Sequence, residues 1–90
     1  MITHPFTFTG RELEINFSTS AAGGIRVEIQ NPDGIPFPGF STGDCPEMIG
    51  DEIGRVVRWK KGADVGSLAG YRIRLRVLMK DADLYSFRFR

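Results

Sequence analysis

Apolar and polar residues alternate most cleanly from Tyr71 to Lys80. Tyr71, Ile73, Leu75, Val77 and Met79 are interleaved there with Arg72, Arg74, Arg76, Leu78 and Lys80. A period of two sends successive side chains to opposite faces, so the segment predicts a half-buried β-strand with one apolar and one cationic face. Its β-branched and aromatic residues favour the same conformation. The period recurs along the chain. Phe6 and Phe8 predict a short first strand closed by Gly10. Leu13, Ile15 and Phe17 alternate with Glu12, Glu14, Asn16 and Ser18, and Ile25, Val27 and Ile29 with Arg26, Glu28 and Gln30. The small residues from Ser20 to Gly24 interrupt the pattern and predict a link between two neighbouring antiparallel strands.

Asn31-Pro32-Asp33-Gly34 is a turn signal, because proline presets the second turn position and glycine accepts the positive φ that follows. The segment from Ile35 to Phe40 holds Pro36 and Pro38, which lack ladder donors, and it predicts an edge strand. Residues from Ser41 to Gly50 predict an irregular loop. Strand character returns from Ile53 to Lys60, with Ile53, Val57 and Trp59 on one side. Arg55 is out of phase, so either its stem snorkels from the buried face or a bulge at Gly54 shifts the register. Asp64 is placed to cap one helical turn through Leu68. Asp81-Ala82-Asp83 predicts a hairpin reversal into a last strand, Leu84 to Phe89, whose apolar row is Tyr85, Phe87 and Phe89. Six to eight short strands with no helix longer than a turn predict an all-β fold, an antiparallel β-sandwich or jelly-roll-like domain. A flattened barrel is the nearest competitor.

Ninety residues make a single domain over positions 1–90. Apolar content of 41% and charged content of 26% fit an ordinary folded chain. The net charge of +1 gives no general electrostatic case for nucleic acid. The one cysteine, Cys45, excludes an intramolecular disulfide. No apolar run reaches the ~18 residues of a membrane span, and the start MITHPFTFTG lacks the apolar core of a signal peptide. That strand-like start suits a domain cut from a longer protein.

The stretches LEINFSTSAAGGIRVEIQNPDGIPFPGF and GDEIGRVVRWKKGADVGSLAGYRIRLRVLMKDADLYSFRF, in that order, cover most of the chain. They resemble the C-terminal β-sandwich domain of bacterial proteins related to family 32 glycoside hydrolases. The resemblance implies a five-bladed β-propeller earlier in the parent chain, which would carry any nucleophile and acid/base carboxylates. It implies a non-catalytic accessory role for residues 1–90 and a compartment set by the parent, export included. It carries over no site motif.

The residues themselves propose no reaction. Asp44, Glu47, Asp51 and Glu52 lie close in sequence, and Asp81 pairs with Asp83, but acids beside Gly and Pro are ordinary turn chemistry. His4 has no Ser or Cys partner signature. No cofactor is expected; calcium on the Asp44–Glu52 loop acids is a minor alternative without a motif. Trp59, Tyr71 and Tyr85 are candidates for stacking on sugar rings, against the reading that all three pack in the core. Arg72, Arg74 and Arg76, joined by Arg88, form a like-charged row that needs acidic neighbours or an anionic partner. Cross-strand pairs with Glu12, Glu14 and Glu28 are one solution, and an acidic polysaccharide or phosphate is the other. The expected function is therefore an accessory module that packs on the propeller through the Arg/Glu face or the Phe37–Phe40 edge. Polysaccharide binding is the alternative. Self-association through an edge strand is discouraged by Pro36 and Pro38.

Overall fold

The alternating segments around Ile15 and Val27 form one strand, and this sets the architecture. The computed structural model describes Met1–Arg90. It contains β1 (Leu13–Gln30), β2 (Asp51–Val56) and β3 (Arg74–Phe89), hydrogen-bonded antiparallel in the order β2-β1-β3. Single 3-10 turns at Thr42–Asp44 and Gly66–Leu68 interrupt the connections. The all-β expectation therefore holds. The expected six to eight short strands are replaced by three, two of them long.

Two breaks in register bend the β1–β3 ribbon. Leu13 to Thr19 pair with Phe89 to Ala82, and Gly24 to Gln30 pair with Lys80 to Arg74. Between these runs Ser20, Ala21, Ala22 and Gly23 stand opposite Asp81 alone. Asp81 takes a φ of +45°, and a Cβ on Gly23 would collide with the carbonyls of Lys80 and Asp81. The small residues thus permit a bend in which the two backbones nearly touch. The reversal expected at Asp81-Ala82-Asp83 does not form. β1 supplies partners to both sides of it, so the chain continues as strand.

The second break lies between Asn16–Ser86 and Phe17–Leu84, where Tyr85 is the extra residue. The phase slips by one there. Leu84 packs against the core, and Tyr85, expected in the apolar row with Phe87 and Phe89, is 68% exposed. β2 carries a matching irregularity: Ile15 faces Arg55 but Phe17 faces Glu52, with Gly54 at a φ of +69°. This is the bulge that the phase of Arg55 suggested. It turns Ile53 outward instead of towards Val57 and Trp59.

The bend gives two half-sheets around one core. Leu13, Ile15 and Phe17 from the first half meet Ile25, Val27, Ile29, Ile73, Leu75 and Val77 from the second, with Phe8, Cys45, Met48, Val57, Trp59, Val65 and Leu68 completing the cluster. Each such side chain stabilises the fold by roughly 1.5–3 kcal/mol relative to exposure. Phe8 stacks on Phe89 at 4.0 Å, and Phe6 leans on Phe87 and Phe89.

Irregular segments cover the edges of the second half-sheet. Residues 1–6 run along β3: the Met1 ammonium donates to the Val77 carbonyl at 3.0 Å, and Phe6 and Ile73 exchange backbone bonds at 2.8 and 2.9 Å. On the β1 side, Phe37 N–H donates to Ile29 and Ile29 N–H to Phe40, both at 3.0 Å. The proline-flanked segment is thus an edge, as its sequence predicts. Its rings turn inward, however. Phe37 and Phe40 pack on the core, so this edge does not present the apolar docking surface expected of it. The Asn31–Gly34 turn closes as expected, with Gly34 N–H donating to the Asn31 carbonyl at 2.9 Å.

Candidate functional site

The outer face of the first half-sheet is built by the two bulges. At Gly54 the backbone of β2 rises, and its N–H donates to Asn16 Oδ1 at 2.6 Å. Asn16 Nδ2 donates to Ser86 Oγ at 2.6 Å, and Ser18 Oγ lies 2.8 Å from the Tyr85 hydroxyl. A polar ladder therefore crosses β2, β1 and β3, with Ile53 standing above it at 93% exposure. Two grooves flank Ile53. One of about 380 Å³ runs between Glu14, Asn16, Phe87 and Arg88; the other, about 400 Å³, between Ser18, Asp51, Glu52 and Tyr85. Met1 and Phe87 meet Tyr85 in a third groove. Ile53 and Tyr85 thereby flank the polar floor, whereas the Phe87 ring lies on the opposite face with Ile15 and leans on Phe6.

Glu14 anchors one end of this floor. It is buried on the face away from the core and accepts from Arg88 Nε at 3.0 Å and Arg90 Nη1 at 2.9 Å. Burial favours the neutral carboxyl, but the two guanidiniums outweigh it and hold the Glu14 pKa below the ordinary carboxylate value. Glu28 is the equivalent residue of the second half-sheet, also buried. It accepts from Gln30 Nε2 at 2.6 Å and Thr42 N–H at 3.1 Å, with Arg76 Nη1 at 4.0 Å.

The candidate residues separate. Trp59 is 3% exposed; its Nε1–H donates to the Val27 carbonyl at 3.0 Å and its ring meets Phe40 edge-on at 5.2 Å. No face of the indole is open to a sugar, which corrects its candidacy for stacking. Tyr71 and Tyr85 are both exposed, but Tyr71 lines none of the grooves. Of the arginine row, Arg74 donates through Nε to Gln30 at 2.7 Å, Arg76 approaches Glu28, and Arg72 is exposed in no ion pair. The expected pairs with Glu14 and Glu28 form; Glu12 takes no arginine.

The loop acids are dispersed. Asp44 accepts from Ser41 Oγ at 2.8 Å, and Glu52 pairs with Arg55. No three of His, Cys, Asp and Glu converge in metal-binding geometry. Arg11 and the Gly66 N–H hold the Asp64 pKa down, and burial pushes the Cys45 thiol up. Asn16, Ser18 and Ile53 escaped the sequence reading of the site. The out-of-phase Arg55 after Gly54 was the signal that could have exposed them. No protein-family model matches the chain, and no curated protein or solved structure is significantly similar to it.

Proposed function

We propose that the chain is a non-catalytic accessory module that docks on a larger domain of the same parent protein, as its resemblance to the C-terminal domain of family 32 glycoside hydrolase-related proteins suggests. On this reading the two half-sheets are the layers of the module's sandwich. The observation that carries the proposal is Ile53. An isoleucine at 93% exposure, beside the exposed ring of Tyr85, is the kind of surface that interfaces cover. In the parent chain, Ile53→Asp is expected to lower the melting temperature of the upstream domain by roughly 2–4 °C, equivalent to about 1 kcal/mol. The melting of the 90-residue chain should stay unchanged. An upstream domain indifferent to Ile53→Asp would refute docking here.

Glycan binding is a second reading, favoured by one observation. The Tyr85 ring borders a groove whose other walls carry Asn16, Ser18, Asp51 and Glu52. An upright ring beside hydroxyl, amide and carboxylate groups is suited to a sugar's apolar face and its hydroxyls. Glycan-array binding that disappears in Tyr85→Ala would select this reading over docking.

A further inference from the structure

The second half-sheet presents a different outer face, opposite Ile25, Val27, Leu75 and Val77. Register places Gly24 beside Lys80, Arg26 beside Leu78, Glu28 beside Arg76 and Gln30 beside Arg74. Arg74, Arg76 and Lys80 therefore lie along one line, with Arg26 filling the gap at Leu78. From Arg74 to Lys80 the line extends about 20 Å at ~3.3 Å per strand residue. Arg26, Arg74 and Lys80 are in no ion pair, and Arg76 reaches its only acid at 4.0 Å. Like charges in such a row repel and favour an anionic partner.

Between Arg26 and Lys80 lies a cleft of about 320 Å³, floored by Gly24 and Leu78. The Glu47 side chain lies over Gly24 so closely that a Cβ there would collide with its carboxyl group. Yet Glu47 is within ion-pair distance of neither cation. A carboxylate thus already occupies the cleft between two unpaired cations. Leu78, 46% exposed, supplies an apolar contact within the cationic line.

We propose that this face binds an anionic polysaccharide, laid along Arg74, Arg76 and Lys80, with one acidic group entering the cleft in competition with Glu47. A linear row suits an extended polyanion better than a compact phosphate, and Leu78 suits the C–H face of a sugar ring. The proposal concerns a face separate from the Ile53–Tyr85 surface and stands whether or not that surface docks.

The test is titration of the 90-residue chain with dextran sulfate and with polygalacturonate, using neutral dextran and double-stranded DNA as comparisons. Binding to at least one acidic polysaccharide is expected, with none to neutral dextran. Arg26→Ala and Lys80→Ala should each weaken it about fivefold, the scale of one exposed charge contact. Glu47→Gln should strengthen it by a similar factor, and Glu12→Gln, an equal charge change at the far end of the first half-sheet, should leave it within about twofold. Circular dichroism should confirm that all variants are folded. The proposal fails if neither acidic polysaccharide binds, if DNA binds as tightly, or if Glu12→Gln matches Glu47→Gln.

Discussion

Burial raises the pKa of the Glu14 carboxyl, and Arg88 and Arg90 more than reverse that shift, so it lies below the ordinary glutamate value. Because its pKa is lower in the folded chain than in the unfolded one, Glu14 stabilises the fold above the ordinary glutamate value. That contribution is lost as pH falls through the folded pKa. Asp64, held down by Arg11 and the Gly66 N–H, acts with the same sign, but its exposed pair is screened by solvent. The melting temperature is therefore expected to fall as pH drops from about 5 to about 3, and less steeply in Glu14→Gln. Thermal scans across that range check this. Equal slopes in the two proteins would show that Glu14 does not couple folding to protonation. Glu14 and Glu28 also explain why the arginine-rich strand is tolerated. Each is buried on the outer face, where it accepts two hydrogen bonds that water would otherwise supply.

The elements depend on three irregularities, and these mark where sequence periodicity stops being informative. Asp81 holds a positive φ opposite the small-residue stretch of β1. Valine is favoured in strands but is a strong outlier at positive φ. Asp81→Val is thus expected to destabilise the chain by ~1–2 kcal/mol, whereas Asp81→Gly should stay within ~0.5 kcal/mol. Urea denaturation distinguishes this from an ordinary strand site, where valine would be neutral or better. Alternation identified the buried faces of Leu13–Phe17, Ile25–Ile29 and Ile73–Val77 correctly, because each run lies between bulges and keeps its phase. It failed at Tyr85, since a bulged residue changes face without changing the sequence pattern. Asp81-Ala82-Asp83 and Ser20–Gly24 read as reversals because turns and bends use the same small and acidic residues. Only the pairing partner distinguishes the two outcomes, and that partner is remote in sequence. Hence the arginine face and its glutamate pairs were legible, while the Ile53–Tyr85 surface, made by two bulges, was not.

At the scale of the molecule, one apolar cluster joins both half-sheets, so neither half has a core of its own. Unfolding should be a single transition. Ile15→Val, in the first half, is expected to cost ~1 kcal/mol. It should lower the midpoints of Trp59 fluorescence, a probe anchored to Val27 in the second half, and of far-UV circular dichroism equally. Separate midpoints would mean the halves melt independently. The continuous pairing of β1 with β3 also bears on how the chain reaches this state. Gln30 lies 44 residues from its partner Arg74, and Glu14 lies 76 from Arg90. Loop closure must precede any reward from these contacts, which predicts folding in milliseconds to seconds rather than microseconds. During synthesis at ~5–20 residues per second, β1 must then wait seconds for β3 to leave the ribosome, its backbone unpaired along that side.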